Sequence, residues 1–222
     1  MIAGKIILIP EQNIWFTADT HYGHTNICRG TSNWDLSQHG GHDSVRDFDT
    51  LDEMNQTIVS GINSYVMPND ILIHNGDVAF GGFENIPIFM KRLTCKNVIL
   101  VLGNHDHHID RNRQGIQGFF NSVHGRLELN LSRQLKKSHE KIGTFELCHF
   151  PMAIWNKAHH NRIHLHGYTH GSYIAPGRAL DIGIDRAYQL YGEYRPFSLK
   201  DIFKYMEDRG FDKLSHHNSK TN

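Results

Sequence analysis

Short apolar segments alternate along this chain with longer stretches in which apolar residues recur every three or four positions. The short segments are rich in Ile, Val, Leu and Phe and are bounded by turn residues, as buried β-strands are. We predict strands at residues 5–9, 14–18, 71–75, 97–102, 144–150, 162–166 and 179–185. The alternation of such strands with helices predicts an α/β protein in which helices cover sheets.

Three helices are predicted from apolar periodicity and capping signals. One apolar face runs from Val45 to Tyr65 with helical spacing, and a shorter face runs over residues 86–93. A third helix is expected at residues 198–210, because Ser198 is followed by Asp201 in a capping pattern and Gly210 supplies a stop.

The chain length bounds the domain organisation. A chain of 222 residues suits one compact domain, which we expect at residues 1–214, with a disordered polar tail at 215–222. Nothing approaches the roughly 20 apolar residues of a membrane span, and the N-terminal apolar run is too short for a signal peptide. Three cysteines without a CxxC pair indicate a reducing compartment. We therefore expect a cytoplasmic protein with no membrane partner.

Charge and histidine content narrow the function classes. Lys plus Arg equals Asp plus Glu at 23 each, which gives no general attraction to nucleic acid or anionic membrane. A basic run within residues 133–141 is interpreted either as a solvated hairpin tip or as a substrate-steering patch. The 18 histidines are an unusual number for this length, and imidazole is the commonest metal ligand. The histidines must be judged by their sequence context.

Polar side chains follow five of the predicted strands at the point where each strand ends. They are Asp19, His21, Asp77, Asn104, His105, His149 and His170. Ligands bind at the carboxyl ends of strands in open α/β sheets. Carboxylate, imidazole and amide groups without thiolates suit Mn²⁺, Fe²⁺ or Zn²⁺ better than Ca²⁺. The set exceeds what one four-coordinate ion needs, which predicts a two-metal site of the kind that acts at phosphorus.

Five motifs carry a resemblance to a known family. They are DTHYGH (19–24), GDVAF (76–80), GNHD (103–106), HFPM (149–152) and HGYTHG (166–171). The chain resembles the calcineurin-like metallophosphoesterases from about Ile14 to Ser198, and is most similar to the small single-domain members of bacteria and phages. The resemblance implies a four-layer α/β/β/α sandwich, in which two mixed sheets are flanked by helices.

The resemblance also implies a role for each motif residue. Two divalent ions are expected, Mn²⁺ first, with Fe²⁺, Zn²⁺ or Ni²⁺ as alternatives. His105 would be the catalytic histidine near the leaving group, and His24 would contact the substrate phosphate or stabilise its own loop. The first ion would be held by Asp19, His21, Asp77 and His170, and the second by Asp77, Asn104 and His149.

Two positions depart from the family pattern. Tyr168 stands where the last motif usually has a histidine that binds the second metal, and a neutral phenol is a poor ligand. We therefore expect a weak second site, with Tyr168 as a phosphate contact, a space-filling residue or a phenolate ligand. The second departure, GDVAFGG at residues 76–82, differs from the GDxxDRG of the Ser/Thr protein phosphatases and argues against protein dephosphorylation.

The expected function is hydrolysis of a phosphomonoester or phosphodiester. Metal-activated hydroxide would attack phosphorus, and His105 would protonate the leaving alkoxide as general acid. The expected partner is a small phosphorylated substrate, nucleotide-like or otherwise. Two alternatives remain open at this point: a nuclease, which the zero net charge does not support, and a degenerate relative that binds metal or phosphate without turnover.

Overall fold

A computed structural model describes residues 12–34, 46–131 and 143–210. The strand predicted at 5–9, the tail predicted at 215–222 and the basic run at 133–141 all lie outside the described residues. Within the described ranges, no helix combines the length and the apolar composition needed to cross a bilayer.

The strands and α-helices are, in chain order, β1 (Ile14–Thr17), α1 (Leu51–Tyr65), β2 (Ile71–His74), α2 (Asn85–Arg92), β3 (Val98–Val101), α3 (His107–Asp110), β4 (Ser122–His124), β5 (Leu127–Asn130), β6 (Thr144–Leu147), β7 (Ile163–His166), β8 (Ala179–Asp181), α4 (Ile184–Tyr191), β9 (Phe197–Ser198) and α5 (Leu199–Tyr205).

The strands form two mixed sheets. The first has the order β4-β3-β2-β1-β9, in which β9 is antiparallel to β1 and the other pairs are parallel. The second has the order β5-β6-β7-β8, in which β5 is antiparallel to β6 and the other pairs are parallel. The predicted α/β architecture, with two mixed sheets flanked by helices, is confirmed.

The two sheets pack face to face over a buried apolar core. Phe16 of β1 and Phe145 of β6 are fully buried there, with ring centroids 5.8 Å apart. Removing either ring would cost about 3–5 kcal/mol, the usual loss for a phenylalanine truncated in a core. On the other face of the first sheet, Leu72 and Leu100 pack with residues of α1 and α2. The central strands β1, β2 and β3 are therefore held between two layers.

Helix boundaries follow local capping chemistry. The apolar periodicity from Val45 predicted a longer first helix, but α1 begins only at Leu51, because the side chain of Thr50 accepts a hydrogen bond from Glu53 N–H and caps it. Phe48 is still buried in the core, from the loop that precedes the helix. The predicted capping box of Ser198 and Asp201 is present at the start of α5.

One predicted strand is partly wrong. Residues 179–185 were expected to be extended throughout, but β8 ends at Asp181 and α4 begins at Ile184. The Asp181 carboxylate accepts a hydrogen bond from Gly183 N–H at 2.7 Å and bends the chain there. The strands β4, β5 and β9 were not predicted from the sequence.

The carboxyl ends of the central strands of both sheets meet at one edge. Asn75, which directly follows β2, donates hydrogen bonds from Nδ2 to the carbonyls of Cys148 and Leu165 in the second sheet, both at 3.1 Å. This buried amide joins the two sheets where the polar strand-end residues emerge. The loops after β1, β2, β3, β6 and β7 therefore surround a common space.

Candidate metal centre

The loop after β1 places Asp19 and His21 in the left-handed backbone region, with φ of 55° and 47°. Side chains other than glycine adopt this region at a cost, so surrounding contacts must hold it. The carboxylate of Asp19 lies close to the next loop: a Cβ atom at Gly167 would sit 2.5 Å from Asp19 Oδ2. Only glycine allows that loop to approach the carboxylate so closely.

The loop after β2 is held by the last residue of the GNHD motif. Asp77 has a left-handed φ of 58°, and its backbone N–H donates to Asp106 Oδ2 at 2.8 Å. The same Asp106 carboxylate accepts hydrogen bonds from Val78 and Gly103, so it joins the loops after β2 and β3. Its role was not predicted, although the motif that contains it was.

All six predicted metal ligands lie together at the sheet edge. Asp19, His21 and His170 present ligand atoms within 4.8 Å of one another, and so do Asp19, Asp77 and His149. Asn104 joins the second group through an Oδ1 to His149 Nε2 distance of 3.1 Å. Asp77 also reaches the first group, with Oδ2 3.5 Å from His21 Nε2. Both Asp19 and Asp77 are thus close to each group, whereas the sequence suggested that only Asp77 would be shared.

The oxygen atoms around His149 Nε2 favour a positive charge at that position. Its Nδ1–H donates to the carbonyl of Asn75 at 2.8 Å, so Nε2 is the nitrogen available to bind either a second proton or a metal. Around Nε2 stand Asn104 Oδ1 at 3.1 Å, Asp77 Oδ2 at 3.4 Å and Asp19 Oδ1 at 3.8 Å. Four electron-rich atoms therefore converge, and only a proton on the ring or a bound cation satisfies them.

His21 supplies a second indication of a cation. The residue is buried, yet neither of its ring nitrogens has a hydrogen-bond partner among the described residues. Leaving a buried polar nitrogen unsatisfied costs about 1–3 kcal/mol. A bound divalent ion would give one of these nitrogens its partner, and the imidazole, carboxylate and amide donors suit a first-row transition metal. The residues at this site therefore fit a divalent first-row transition metal ion.

The protonation equilibria reflect this concentration of charge. Burial raises the pKa of Asp19 to about 7, against the opposing effect of His170 and His149. Burial acts to lower the pKa of His149 and of His170, but neighbouring carboxylates outweigh it and raise both pKa values to about 9. The carboxylates that act on His149 are Asp77 and Asp19, and those that act on His170 are Asp185 and Asp19. Burial and the neighbouring His170 hold the pKa of His21 well below its usual range.

His105 and His24 line the same space as the candidate ligands. The backbone N–H of His105 donates to Asp77 Oδ1 at 2.9 Å, and its partly exposed ring lies 5.6 Å from the ring of His21. The His24 ring stacks on Phe80 with centroids 3.8 Å apart. Burial and the nearby His105 lower the pKa of His24 to about 4, so the ring is neutral at physiological pH.

Tyr168 is attached to the centre through its backbone rather than its phenol. Its backbone N–H donates to Asp19 Oδ2 at 3.0 Å. The ring is 48% exposed, contacts Phe150 with centroids 4.8 Å apart and meets His149 edge-on at 5.9 Å. Tyr168 and Phe150 therefore form an exposed aromatic pair beside the second group of ligands.

Several supporting residues were not predicted from the sequence. Asp185 accepts a hydrogen bond from His170 Nδ1 at 2.7 Å, and Arg46 pairs with that carboxylate. Asn75 orients His149, as described above. Asp185 could not be recognised, because it falls at the end of a segment that looked like a strand. Arg46 precedes the helix by several residues and has no motif around it.

Comparison with known proteins agrees with this geometry. The family model described as calcineurin-like phosphoesterase matches residues 12–173, most of the chain, so this protein belongs to the calcineurin-like phosphoesterase family. No curated protein matches the chain. The crystal structure of a protein of unknown function from Aquifex aeolicus is similar in fold, with a TM-score of 0.58 and 18% sequence identity over 88% of this chain and 100% of that one. The predicted family membership is confirmed.

Metal binding should release protons and tighten as the pH rises. Because the pKa values of His149 and His170 are raised to about 9, both rings are positively charged at neutral pH, with a proton on each nitrogen. A metal that binds Nε2 must displace the proton there. Affinity for Mn²⁺ should therefore increase from about pH 6 to about pH 9 and then level off. Calorimetric titration of chelator-treated protein in two buffers of different ionisation enthalpy measures the protons released. Identical heats in both buffers at pH 7 would contradict this assignment.

Proposed function

We propose that this protein hydrolyses a small phosphoester with the help of divalent metal ions held by Asp19, His21, Asp77, Asn104, His149 and His170. Family membership supports metal-dependent phosphoester hydrolysis in general. The observation that carries the ligand assignment is the convergence of acceptor atoms on His149 Nε2, within 3.1–3.8 Å. A buried site of this composition needs added positive charge, and a divalent cation that supplied it at the sheet edge would be suited to bind a phosphoryl oxygen.

The histidines beside the proposed ligands are assigned separate roles in the hydrolysis. Divalent ions, when bound, would acidify water and neutralise charge on the phosphoryl group. His105 is proposed to donate a proton to the leaving oxygen, since its ring is partly exposed and its backbone is tied to Asp77. His24, neutral and stacked on Phe80, is proposed to shape the wall of the site and contact the phosphate by a hydrogen bond.

Two ions of unequal affinity are proposed, with Mn²⁺ as the main candidate. The first would have Asp19, His21, Asp77 and His170, and the second only Asp77, Asn104 and His149, one of which is a neutral amide. The outward position of the Tyr168 ring, which packs on Phe150, supports a second site without a phenolate ligand. A reducing, cytoplasmic location is also proposed, supported by three unpaired cysteines.

The substrate is proposed to carry an aromatic ring, as a nucleotide does. Phe150 and Tyr168 are 44% and 48% exposed and lie against each other next to His149. An exposed aromatic pair at the rim of a polar site can stack a nucleobase, and such stacking stabilises a bound base by about 1–3 kcal/mol. The phosphate would then lie over the ligands and the ring over this pair.

Chelation and a single substitution test the proposed chemistry. Hydrolysis of bis(p-nitrophenyl) phosphate should stop after chelator treatment and return on adding Mn²⁺, more than on adding Mg²⁺. His105→Ala should keep its metal content and lower kcat by roughly 10²–10⁴-fold, the usual effect of removing a general acid. Esters with good leaving groups should lose less. Metal content and kcat are both measured on the same preparation.

His107→Ala is the matched control, because His107 is an exposed neighbour on α3 and should behave as wild type. Loss of metal in His105→Ala would show that His105 is a ligand. Metal binding without hydrolysis of any ester in a mono- and diester panel would identify a degenerate binding protein and refute the enzymatic proposal.

Substituting Tyr168 tests the unequal sites. Tyr168→His should restore an imidazole beside the second group and tighten the weaker of two calorimetric Mn²⁺ binding events by at least about 10-fold, because even a residue that only orients a ligand is worth about 10–100-fold. Tyr168→Phe removes only the hydroxyl and should leave both events unchanged. Two equally tight events in the wild type, one of which weakens in Tyr168→Phe, would instead mean that the phenolate coordinates.

Removing the aromatic pair tests the substrate class. Phe150→Ala should reduce kcat/KM for a nucleoside phosphodiester by about 5–100-fold, in keeping with one lost stacking contact, and hardly change it for an alkyl phosphodiester. Tyr188→Ala is a suitable control, because Tyr188 is an equally exposed tyrosine that stacks on Tyr194 and not beside the ligands. An equal loss with both esters would refute stacking on this pair.

A further inference from the structure

A buried ion pair lies directly behind His170. The Arg46 guanidinium donates from Nε to Asp185 Oδ1 at 2.8 Å and from Nη2 to Asp185 Oδ2 at 3.0 Å. Asp185 Oδ2 also accepts a hydrogen bond from His170 Nδ1 at 2.7 Å. The side chains of Arg46 and Asp185 are 2% and 14% exposed. The arginine thus fixes both oxygens of a carboxylate that contacts a proposed metal ligand.

The same guanidinium holds the loop that carries two other proposed ligands, Asp19 and His21. Arg46 Nη1 donates to the carbonyl of Thr20 at 2.8 Å, and Nη2 donates to the carbonyl of Asp19 at 2.5 Å. The backbone of Asp19 is left-handed, with φ of 55°, and that of His170 likewise at 48°. Such conformations persist only where neighbouring contacts hold them. One planar side chain with five donors therefore fixes two strained loops against each other.

The hydrogen bond to Asp185 also decides which nitrogen of His170 is free. A carboxylate accepts hydrogen bonds, so Nδ1 carries a proton, and Nε2 is the nitrogen that can offer a lone pair to a metal once its own proton has left. The ring stacks on that of His21, with centroids 5.1 Å apart and planes 19° apart. The two rings therefore lie side by side, in the group that they form with Asp19.

We propose that Asp185, locked by Arg46, is the positioning residue that fixes His170 as an Nε2 metal ligand and sets the affinity of the first ion. This inference rests on the proposed metal-binding role of His170. Carboxylates that accept the second N–H of a ligand histidine orient its ring and raise its basicity. A buried ion pair is by itself weak evidence of stability, so its effect is expected mainly in metal affinity.

The inference predicts a selective loss of metal affinity. Asp185→Asn should weaken the tighter Mn²⁺ binding event by about 10–100-fold in calorimetry and leave the weaker event within about twofold. The matched control is Asp201→Asn, which breaks another Arg–Asp pair, that of Arg195 at the start of α5, away from the ligands. Asp201→Asn should lower the unfolding temperature without changing either Mn²⁺ affinity.

A double-mutant cycle separates this inference from the proposed ligand set. In a His170→Ala background, Asp185→Asn should have no further effect on Mn²⁺ affinity, because the ligand that it positions is gone. An undiminished effect there would overturn the positioning role. If His170→Ala weakens Mn²⁺ binding and Asp185→Asn alone does not, the inference fails and the ligand set stands. If His170→Ala leaves Mn²⁺ affinity unchanged, His170 is not a ligand, and both fail.

The tautomer of His170 can be read on the wild-type protein, even if Asp185→Asn does not fold. Long-range ¹H–¹⁵N spectra, with His170 assigned by comparison with His170→Gln, should show a protonated Nδ1 in chelator-treated protein. Addition of Zn²⁺, which is diamagnetic, should shift the Nε2 resonance and leave Nδ1 protonated. A proton on Nε2 in the Zn²⁺-loaded protein, with Nδ1 shifted instead, would overturn the inference.

Discussion

Two carboxylates and three imidazoles are packed at one sheet edge, and the cost of burying their charge governs this region of the protein. Asp19, Asp77, His21 and His149 are almost completely buried, and His170 lies beside them. Isolated charges cannot be buried in this way without partners, because taking an ion out of water costs several kcal/mol. A divalent cation bound there would balance the carboxylates and satisfy the imidazole lone pairs at once.

The backbone around the centre is strained, and polar contacts from neighbouring residues stabilise its left-handed conformations. Asp19, His21, Asp77 and His170 all have positive φ. Each loop that carries them is fixed by buried polar contacts: Arg46 holds the loop after β1, Asp106 the loop after β2, and Asp185 the turn after β7. Asn75 joins the two sheets by hydrogen bonds to the carbonyls of Cys148 and Leu165. The geometry of the proposed ligands therefore depends on residues outside the ligand set.

The sequence predicted the family and most of the described strands, and it named six side chains that the structure brings together, because each of these leaves a local pattern. The motifs placed Asp19, Asp77 and Asn104 directly after apolar runs, and strand ends of a common sheet must meet. Asp185 and Arg46 were missed, since their importance depends on contacts across 139 positions of sequence. The outward position of the Tyr168 ring was equally invisible, because it is set by packing on Phe150. Long-range side-chain contacts have no local signature.

Anomalous X-ray diffraction from crystals soaked in Mn²⁺ tests the central claim most directly. The account predicts a strong anomalous peak within bonding distance of Asp19, His21, Asp77 and His170, and a weaker one bonded to Asp77, Asn104 and His149. It also predicts that Nε2, not Nδ1, faces the metal in His149 and His170. Peaks elsewhere on the protein, with none bonded to these side chains at saturating Mn²⁺, would contradict the account.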